Sequence, residues 1–284
     1  MNPYTDLVSG FERLVVNGRT IPLGGFPPAP RPKIAPNAPK VVFFAPHPDD
    51  ETIGGGLPLR LLREAKWNVI NASVTLGRAP ERKAPRLAEL KNACGYLGFG
   101  LTQLSPTGLD GVTAATRAKD PAGWSKMVKA AANILAEHRP HVIFFPHELD
   151  WNGTHIGTHF LVMDALKAMP DLKCYIVETE FWGQMQTPNL LVEYSTQEVS
   201  DLIAATSFHV GEVQRNPYHL LLPAWMQDNV RRGSELVGGQ GQPAARFMFG
   251  QVYRLRRWNG SQVEDCFAGG RFLPLTTNAG SLFA

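Results

Sequence analysis

Ala45-Pro46-His47-Pro48-Asp49-Asp50-Glu51 is the stretch of sequence that decides how the rest of the chain is interpreted. It follows an apolar run, residues 41–44, that is typical of a buried strand, and three glycines come after it at 54–56. A histidine and several carboxylates therefore lie where a strand gives way to a helix, and open α/β sheets bind their ligands at the carboxyl ends of strands. A His and an Asp three residues apart can bind one divalent ion, which leaves the neighbouring Asp free to act on a water molecule.

The composition is that of an ordinary globular protein. The chain has 284 residues, of which 44% are apolar and 19% charged, and its net charge of +3 gives little support for nucleic-acid binding. Its three cysteines include no CxxC pair and indicate neither a disulfide framework nor a thiolate zinc site. No apolar run approaches the ~20 residues that span a bilayer, and the pattern of a signal peptide is absent. We therefore predict a cytoplasmic chain with no nucleic-acid partner and no membrane span, and the sequence is compatible with a homo-oligomer.

From residue 40 onwards, the apolar pattern alternates between the periods of strands and helices. Predicted strands cover residues 41–45, 69–76, 101–104, 142–145 and 174–181. Predicted helices between them cover residues 56–66, 86–97, 124–137 and 154–168. This alternation indicates crossover connections and a mostly parallel sheet, so we predict a Rossmann-like three-layer α/β fold in a single domain, residues 1–284.

The two ends of the chain break this rhythm. Prolines between residues 27 and 39 predict an irregular N-terminal arm over residues 1–39. After the core at 40–182, residues 183–284 predict a C-terminal appendage with helices near 197–207 and 224–236 and a strand at 247–258. We expect the appendage to cover the sheet or the mouth of the site, and not to form a second domain.

A second group of polar residues follows the predicted strand 142–145. His147 ends that strand, and residues 150–155 form a polar turn in which Thr154 is the predicted N-cap of the next helix. His155 and His159 are spaced i, i+4 and share one helical face. Any one of these histidines would be interpreted as structural, but three around one strand end, with another ligand-rich strand end upstream, predict a metal site.

These motifs resemble those of the PIG-L-like (LmbE-like) zinc-dependent N-deacetylases. The family's first motif reads A-H-P-D-D-E, and residues 45–51 match it with one additional proline, Pro46. The turn at 150–155 resembles the second motif, H-P-D-H or H-x-x-H, and Arg86 to Glu89 resembles the family's R-x-x-E. The resemblance covers about residues 38–182 and implies the α/β fold expected above.

The resemblance also implies a set of metal ligands. His47, Asp50 and His155 would bind one Zn²⁺ per chain, with another divalent metal as the alternative, and Asp49 would be the general base. Two histidines and one carboxylate leave the fourth position of the ion open for water, which is the pattern of a catalytic zinc site. Successive side chains diverge, so Asp49 and Asp50 can both face the metal only with unusual backbone geometry. The alternative for Asp49 is that it orients His47.

One position departs from the family pattern. Many members have a histidine three residues before the last zinc ligand, where it helps to stabilise the oxyanion, and this chain has Asn152 there. We predict His147 as the first choice for that role, with His159 or a weaker Asn152 as alternatives. Four further side chains are predicted to contact the substrate or to orient the ligands: Glu51, Arg86, Asp150 and His159.

The first functional hypothesis is a zinc hydrolase that removes an acyl group, in particular acetyl, from the nitrogen of an N-acylated amino sugar or glycoconjugate. A metal hydrolase of a non-sugar amide or ester would use the same site. A sugar-binding or nucleotide-binding module is a third alternative, but the acidic motif before the glycines at 54–56 would repel a pyrophosphate. The expected partner is thus a small N-acylated substrate.

Overall fold

One nine-stranded sheet places the site. The structure is a computed structural model that describes residues 2–284. The strands are β1 Lys40–Ala45, β2 Asn68–Ser73, β3 Gly100–Gln103, β4 Val142–Pro146, β5 Cys174–Thr179, β6 Leu190–Tyr194, β7 Phe249–Trp258, β8 Val263–Asp265 and β9 Arg271–Leu273. The α-helices are α1 Thr5–Gly18, α2 Asp50–Ile53, α3 Gly56–Glu64, α4 Pro80–Leu97, α5 Ala114–Lys119, α6 Pro121–His138, α7 Gly153–Lys167, α8 Thr196–Ser207, α9 Val210–Val213 and α10 Leu222–Gly238.

The strand order creates a crevice at the centre of the sheet. The order is β3-β2-β1-β4-β5-β7-β6-β9, with β8 paired to β7. The first five strands of the chain pair in parallel, as predicted, and β7 runs antiparallel to both β5 and β6. The chain order reverses between β1 and β4, and ligands of open α/β sheets bind at the carboxyl ends of strands at such a switch point. The mixed α/β fold with a mostly parallel sheet is confirmed.

Helices cover both faces of the sheet, which explains why β4 and all of β1 after Lys40 are apolar. Val41 and Phe43 of β1 pack into one core with α3, α4 and α8, whereas Val42 and Phe44 pack into a second core with α6 and α7. Successive side chains of a strand point to opposite faces, so a strand buried on both faces shows a continuous apolar run. The two cores hold the strand end that carries His47 in a fixed position.

The N-terminal arm differs from the prediction, because α1 at Thr5–Gly18 is a regular helix. The prolines that predict irregular structure come only after this segment, from Pro27 onwards. Gly18 packs against Leu220, where a Cβ would lie 2.8 Å from the leucine side chain. Several apolar side chains of α1 are exposed, among them Leu7, Phe11 and Leu14. Across residues 2–284, no helix combines the length and the apolar character needed to cross a bilayer.

The C-terminal appendage contains more of the sheet than the sequence predicts. The predicted strand at 247–258 is β7, but β6, β8 and β9 add three strands that the apolar pattern did not indicate. These strands have only three to five residues, too few to show a clear alternation. The appendage therefore extends the sheet as well as covering it.

Arg60 is a buried cation of α3 whose hydrogen bonds connect this helix to the C-terminal appendage. Its side chain is 0% exposed, and its Nε donates to Glu64 Oε1 at 2.6 Å. Its Nη1 donates to the carbonyl of Glu193 at 2.9 Å, and its Nη2 to that of Thr277 at 2.8 Å. Removal of one partner of a buried charge network leaves the others without compensation.

We expect Arg60→Met to lower the free energy of unfolding by about 3–5 kcal/mol, because the carbonyls and Glu64 lose their shared donor. Urea denaturation of both proteins measures the difference. Arg231→Met is the matched control, since its guanidinium is 72% exposed and its pair with Asp228 should contribute about 1 kcal/mol or less. Equal losses in the two variants would contradict the role given to Arg60.

Candidate metal centre

Three nitrogen and oxygen atoms converge at the carboxyl ends of β1 and β4. His47 follows β1, Asp50 begins α2, and His155 lies in the first turn of α7. His47 Nδ1 is 3.3 Å from Asp50 Oδ2 and 3.3 Å from His155 Nε2, and His155 Nε2 is 3.2 Å from Asp50 Oδ2. The structure thus brings together the three side chains predicted as metal ligands, in a nearly equilateral triangle of donor atoms.

The size of this triangle fits a zinc ion. Zinc binds histidine nitrogen and carboxylate oxygen at about 2.0–2.2 Å, so two ligands of a tetrahedral ion lie about 3.3–3.6 Å apart. The observed edges of 3.2–3.3 Å lie at or within 0.1 Å of the lower end of that range. Two imidazoles and one carboxylate are also the donors that suit a catalytic zinc ion with one open position.

Asp150 orients His155 from the side opposite the triangle. Its Oδ1 is 3.5 Å from His155 Nδ1, which favours the tautomer whose Nε2 lone pair faces the other two ligands. Asp150 is itself held by the backbone, because its carboxylate accepts hydrogen bonds from the N–H groups of Asn152 at 2.8 Å and Trp182 at 3.1 Å. A carboxylate behind a ligating histidine is the usual support of a metal site.

The charges in the triangle favour a cation. Burial on its own would lower the pKa of His155, but Asp50 and Asp150 raise that pKa to about 10. Burial likewise opposes ionisation of Asp50, yet the charges and hydrogen bonds of His155 and His47 lower the pKa of Asp50 below its usual value. A metal ion at the centre of the triangle would take the place of this proton and satisfy the same carboxylates.

The backbone of Asp49 has an unusual conformation. The sequence predicts such a conformation if the side chains of Asp49 and Asp50 both face the metal. The φ of Asp49 is 122°, a region that residues with a side chain rarely adopt, and such strain persists only where the surroundings enforce it. Its N–H donates to Glu51 Oε2 at 2.9 Å. Burial and the neighbouring Asp50 charge raise the pKa of Asp49 to about 7, and a cation nearby would lower it.

Two residues of the appendage hold this loop, and the sequence motifs identified neither. The hydroxyl of Tyr218 donates to Asp49 Oδ2 at 2.5 Å, and His209 Nε2 lies 2.7 Å from Glu51 Oε1. His209 and Glu51 are both fully buried. Their ion pair holds the Glu51 carboxylate in the position where it accepts the hydrogen bond from the N–H of Asp49. Glu51, predicted to contact the substrate or orient the ligands, contacts His209 and the backbone of the loop.

His147 has partners at both ring nitrogens. Its Nε2 lies 2.8 Å from the carbonyl oxygen of Gly183, to which it donates, and its Nδ1 accepts from the N–H of Leu149 at 3.3 Å. A neutral imidazole has one donor and one acceptor, and here both are used. This geometry does not favour the oxyanion role that the sequence predicts for His147.

Asn152, and not Thr154, is the N-cap of α7. Its Oδ1 accepts from the N–H of Thr154 at 2.8 Å, and the helix begins at Gly153. This corrects the predicted cap by two residues, because an Asn side chain competes well with Thr for the same role. The cap uses the carbonyl end of the Asn152 side chain and leaves its amide N–H groups for another partner.

His159 belongs to a different cluster. Its Nδ1 lies 3.1 Å from the carbonyl of Pro146 and 3.5 Å from Glu178 Oε1. Arg254 Nε donates to Glu178 at 2.6 Å, and Arg254 also pairs with Glu148. Since the guanidinium balances both carboxylates, this cluster is an ion-pair network and not a second metal centre. These contacts do not favour the predicted place of His159 beside the ligands.

Two cavities open beside the ligands. The arginine cavity has a volume of about 500 Å³, includes His47 and Asn152 in its wall, and takes its name from Arg78, Arg82, Arg86 and Arg215. Arg86, predicted to contact the substrate or to orient the ligands, also donates from Nη2 to the carbonyl of Pro48 at 3.1 Å. The aromatic pocket, of about 290 Å³, is lined by Phe181, Trp182, Tyr218 and Trp225. Both volumes are close to or within the range of small-molecule sites, about 300–1,000 Å³.

Comparison with known proteins agrees with this geometry. Residues 42–166, which include all three converging side chains, match the family model described as PIG-L: GlcNAc-PI de-N-acetylase. Residues 42–166 form a PIG-L family domain. The resemblance seen in the sequence motifs is therefore confirmed, and the PIG-L domain ends near the end of α7.

One curated relative is the 1D-myo-inositol 2-acetamido-2-deoxy-alpha-D-glucopyranoside deacetylase of Mycolicibacterium smegmatis. It is 27% identical over 171 residues, which cover 51% of this chain and 59% of the relative. The match thus spans less than two thirds of that enzyme's length.

Two solved structures show the same fold. N,N'-diacetylchitobiose deacetylase from Pyrococcus horikoshii has a TM-score of 0.56 and 16% identity, with 92% of this chain and 96% of that chain covered. The 4-carboxy-2-hydroxymuconate hydratase of Pseudomonas putida has a TM-score of 0.54 and 14% identity, with 76% and 95% covered. Because a deacetylase and a hydratase share this fold, the function must be argued from the site.

Proposed function

We propose that this chain is a zinc-dependent hydrolase that removes the N-acetyl group from an N-acetylated amino sugar or glycoconjugate. The observation that carries the proposal is the triangle of His47 Nδ1, Asp50 Oδ2 and His155 Nε2, with edges of 3.2–3.3 Å inside a PIG-L domain. The strained Asp49 next to Asp50 supplies a carboxylate that is not part of the triangle.

The three side chains would hold one zinc ion per chain. When bound, zinc supplies Lewis acidity and makes water a stronger nucleophile near neutral pH. His155 is oriented for this by Asp150, and Asp50 accepts a hydrogen bond from the N–H of His47 at 2.9 Å, which fixes the first ligand against the second. The ligands are thus set by contacts within the chain before any metal binds.

Asp49 is the proposed general base. Its carboxylate would accept the proton of the attacking water and then return it to the nitrogen of the departing amine, so one group would act first as base and then as acid. Burial and the Asp50 charge raise the pKa of Asp49 and so make it a better proton acceptor than an exposed aspartate, whereas a bound cation would oppose this effect. The hydrogen bond from Tyr218 would aim the carboxylate during both steps.

Asn152 is the proposed donor to the developing oxyanion. Its Oδ1 is fixed by the N–H of Thr154, and within the described part of the chain no hydrogen-bond acceptor is recorded for its amide N–H groups. It lines the arginine cavity together with His47, the first of the proposed ligands. An amide donor at this position is weaker than a charged histidine, and the loss of one such donor costs about 2.7–4 kcal/mol in comparable enzymes.

The proposed substrate class is an N-acetylated amino sugar. The Mycolicibacterium relative is by name a deacetylase of a 2-acetamido-2-deoxy-glucopyranoside, and the Pyrococcus structure is a deacetylase of N,N'-diacetylchitobiose. The aromatic pocket next to the site offers the half-exposed Trp182 as a surface for a sugar ring, and Tyr218 packs against Trp182 edge to face with the ring centroids 6.2 Å apart. In this proposal Asp49 and Asn152 act on the acetamide, and the aromatic pocket contacts the sugar ring.

Acetate release from a panel of substrates tests the proposal. The panel contains methyl N-acetylglucosaminide, N,N'-diacetylchitobiose, an N-acetyl amino acid and an acetate ester. We expect release from at least one of the two sugars at a kcat/KM well above that for the other two compounds. Preference for the amino acid or the ester would favour a metal hydrolase of non-sugar substrates, and release from none would reject N-deacetylation.

Tyr218→Phe should lower kcat by about 10- to 100-fold, because a hydrogen bond to a charged group contributes about 1.5–3 kcal/mol. The zinc content should not change, since Tyr218 touches Asp49 and none of the three ligands. Steady-state kinetics and metal analysis on one preparation measure both quantities. Tyr4→Phe, at an exposed position, is the control. A kcat equal to that of the unaltered protein would show that the ring of Tyr218 serves only to fill the pocket.

A further inference from the structure

Helix α1 carries apolar side chains that the rest of the chain leaves exposed. In the part of the chain that the structure describes, Gly18 is the only buried residue of α1, and it lies against Leu220. The tightest packing of α1 on the rest of the molecule is thus at its C-terminal end, and its earlier turns stay exposed or partly buried. The family domain begins only at residue 42, so α1 is an addition to that domain.

The exposed apolar side chains of α1 form one continuous stripe. Four of them follow each other at intervals of three or four positions and therefore share one face of the helix: Tyr4, Leu7, Phe11 and Leu14. Val8 lies beside them, and we call these five residues the α1 stripe. Each of the five is between 52% and 72% exposed. Contiguous apolar surface of this kind on a folded chain marks a site of interaction with another molecule or a membrane.

The charges of α1 do not favour a membrane surface. Helices that lie on membranes carry lysine and arginine on their polar face, which attracts anionic lipids. Helix α1 contains two acidic side chains, Asp6 and Glu12, one basic side chain, Arg13, and no lysine, so its net charge is −1. Anionic lipid headgroups would therefore not attract the polar face of α1.

The spacing of the stripe fits a second copy of the same helix. Intervals of three and four residues are the a and d positions of a coiled coil, with the two aromatic residues at a and the two leucines at d. In an antiparallel pair, an a position of one helix lies opposite a d position of the other. Tyr4 would thus pack on Leu14 of the second copy, and Leu7 would pack on Phe11. Every layer would combine one aromatic ring with one leucine, so the stripe is complementary to itself.

The area of the stripe is sufficient for a specific interface. Aromatic side chains offer about 150–250 Å² each and aliphatic ones somewhat less, so the five partly exposed side chains offer roughly 500–700 Å² per chain. Two copies would together bury on the order of 1,000–1,400 Å², and a specific interface needs about 1,000 Å² or more.

We propose that α1 is a dimerisation helix, and that the α1 stripes of two copies of this chain pack against each other in antiparallel orientation. The antiparallel orientation places the rest of each molecule, which contacts α1 at Gly18, at opposite ends of the helix pair. Because α1 lies outside the metal centre, the pairing does not depend on the proposed function.

Sedimentation of the full chain over about a hundredfold range of concentration tests the pairing. We expect a reversible equilibrium between the 31.2 kDa chain and a species of twice that mass. Phe11→Glu should raise the Kd of the dimer by about 100-fold or more, because each interface contains Phe11 twice and an unpaired buried carboxylate is costly. Val16→Glu is the matched control, since Val16 is 56% exposed on the opposite side of the same helix, and its Kd should not change.

A mixture of the Leu7→Lys and Phe11→Glu proteins tests the orientation of the helices. Each variant alone should be monomeric at concentrations where the unaltered chain is dimeric. In an antiparallel pair the new lysine of one chain lies opposite the new glutamate of the other, so the mixture should form a dimer again. In a parallel pair the two charges would lie in different layers. Both positions are more than half exposed, so each variant should retain the circular dichroism spectrum of the unaltered chain.

Three results would overturn the proposal: an unaltered chain that stays monomeric at every concentration, a dimer that Phe11→Glu does not weaken, or a mixture that remains monomeric. Cosedimentation with vesicles of phosphatidylcholine and phosphatidylserine separates the remaining alternative. A monomeric chain that binds these vesicles, and loses the binding in Phe11→Glu, would assign the α1 stripe to a membrane surface instead.

Discussion

Asp49→Asn is expected to lower kcat for acetate release by about 10²- to 10⁴-fold, the usual contribution of a general base. The amide is nearly isosteric with the carboxylate but cannot accept the proton of the attacking water. Tyr218 can still donate to the Oδ1 of the new amide, so the loop should keep its conformation. Because Asp49 lies outside the triangle of donor atoms, the zinc content should stay at about one per chain.

Stopped-time measurement of acetate together with metal analysis checks this expectation. Asp265→Asn, an exposed carboxylate on β8, is the matched control and should behave as the unaltered protein does. Turnover close to normal in Asp49→Asn would show that Asp49 only orients its neighbours, and Glu51 would become the candidate base. The buried contact of Glu51 with His209 argues against that alternative.

His155→Ala is expected to remove zinc from the protein and activity with it. The variant lacks the His155 imidazole, which is one of the three proposed ligands. It also leaves the carboxylates of Asp50 and Asp150 without the ring that lies between them. Loss of a group that merely orients a ligand lowers metal affinity about 10- to 100-fold, so loss of the ligand itself should cost more. Competition with a chelator of known affinity measures the change.

His138→Ala is the control for this experiment, since His138 lies at the end of α6, near the beginnings of β1 and β4 and not at their carboxyl ends. Full zinc occupancy and full activity in His155→Ala would move the third ligand elsewhere, to His147 or His159. Both have other partners in the structure, Gly183 for the first and Pro146 for the second.

The part of the site that the sequence predicts is the part that lies at strand ends. His47 and Asp50 follow β1 within five residues. Because β1 and β4 pair in parallel, the end of β4 lies beside these two residues irrespective of the structure of the appendage. A buried strand, a polar turn and a helix are local patterns, so their order is enough to bring His155 to the same crevice.

The sequence does not reveal the residues that the appendage contributes. Tyr218 is 169 positions from Asp49, and His209 is 158 positions from Glu51. Neither belongs to a motif, and only the long-range packing of the appendage brings them to the loop. The same reason applies to β6, β8 and β9, because short strands added at the far side of a sheet are defined by their partners and not by their own pattern.

His147 shows a different limit of sequence interpretation. Its place after β4 is as the pattern predicts, but the partner at its Nε2 is a backbone carbonyl 36 positions away, at Gly183. Backbone acceptors carry no side-chain signal, so a histidine whose nitrogens are both used looks the same in sequence as one that is free. Asn152, the alternative, is placed by its capping bond to Thr154.

The proposed metal dependence can be tested most directly by measuring acetate release from methyl N-acetylglucosaminide and N-acetylglucosamine 1-phosphate before and after removal of metal. We expect the chelated protein to release no acetate above background, and activity to return in proportion to added Zn²⁺ until about one ion is bound per chain. Full release by the metal-free protein would contradict the proposed role of His47, Asp50 and His155. A protein with one bound zinc per chain that releases acetate from neither sugar would instead contradict the proposed substrate class.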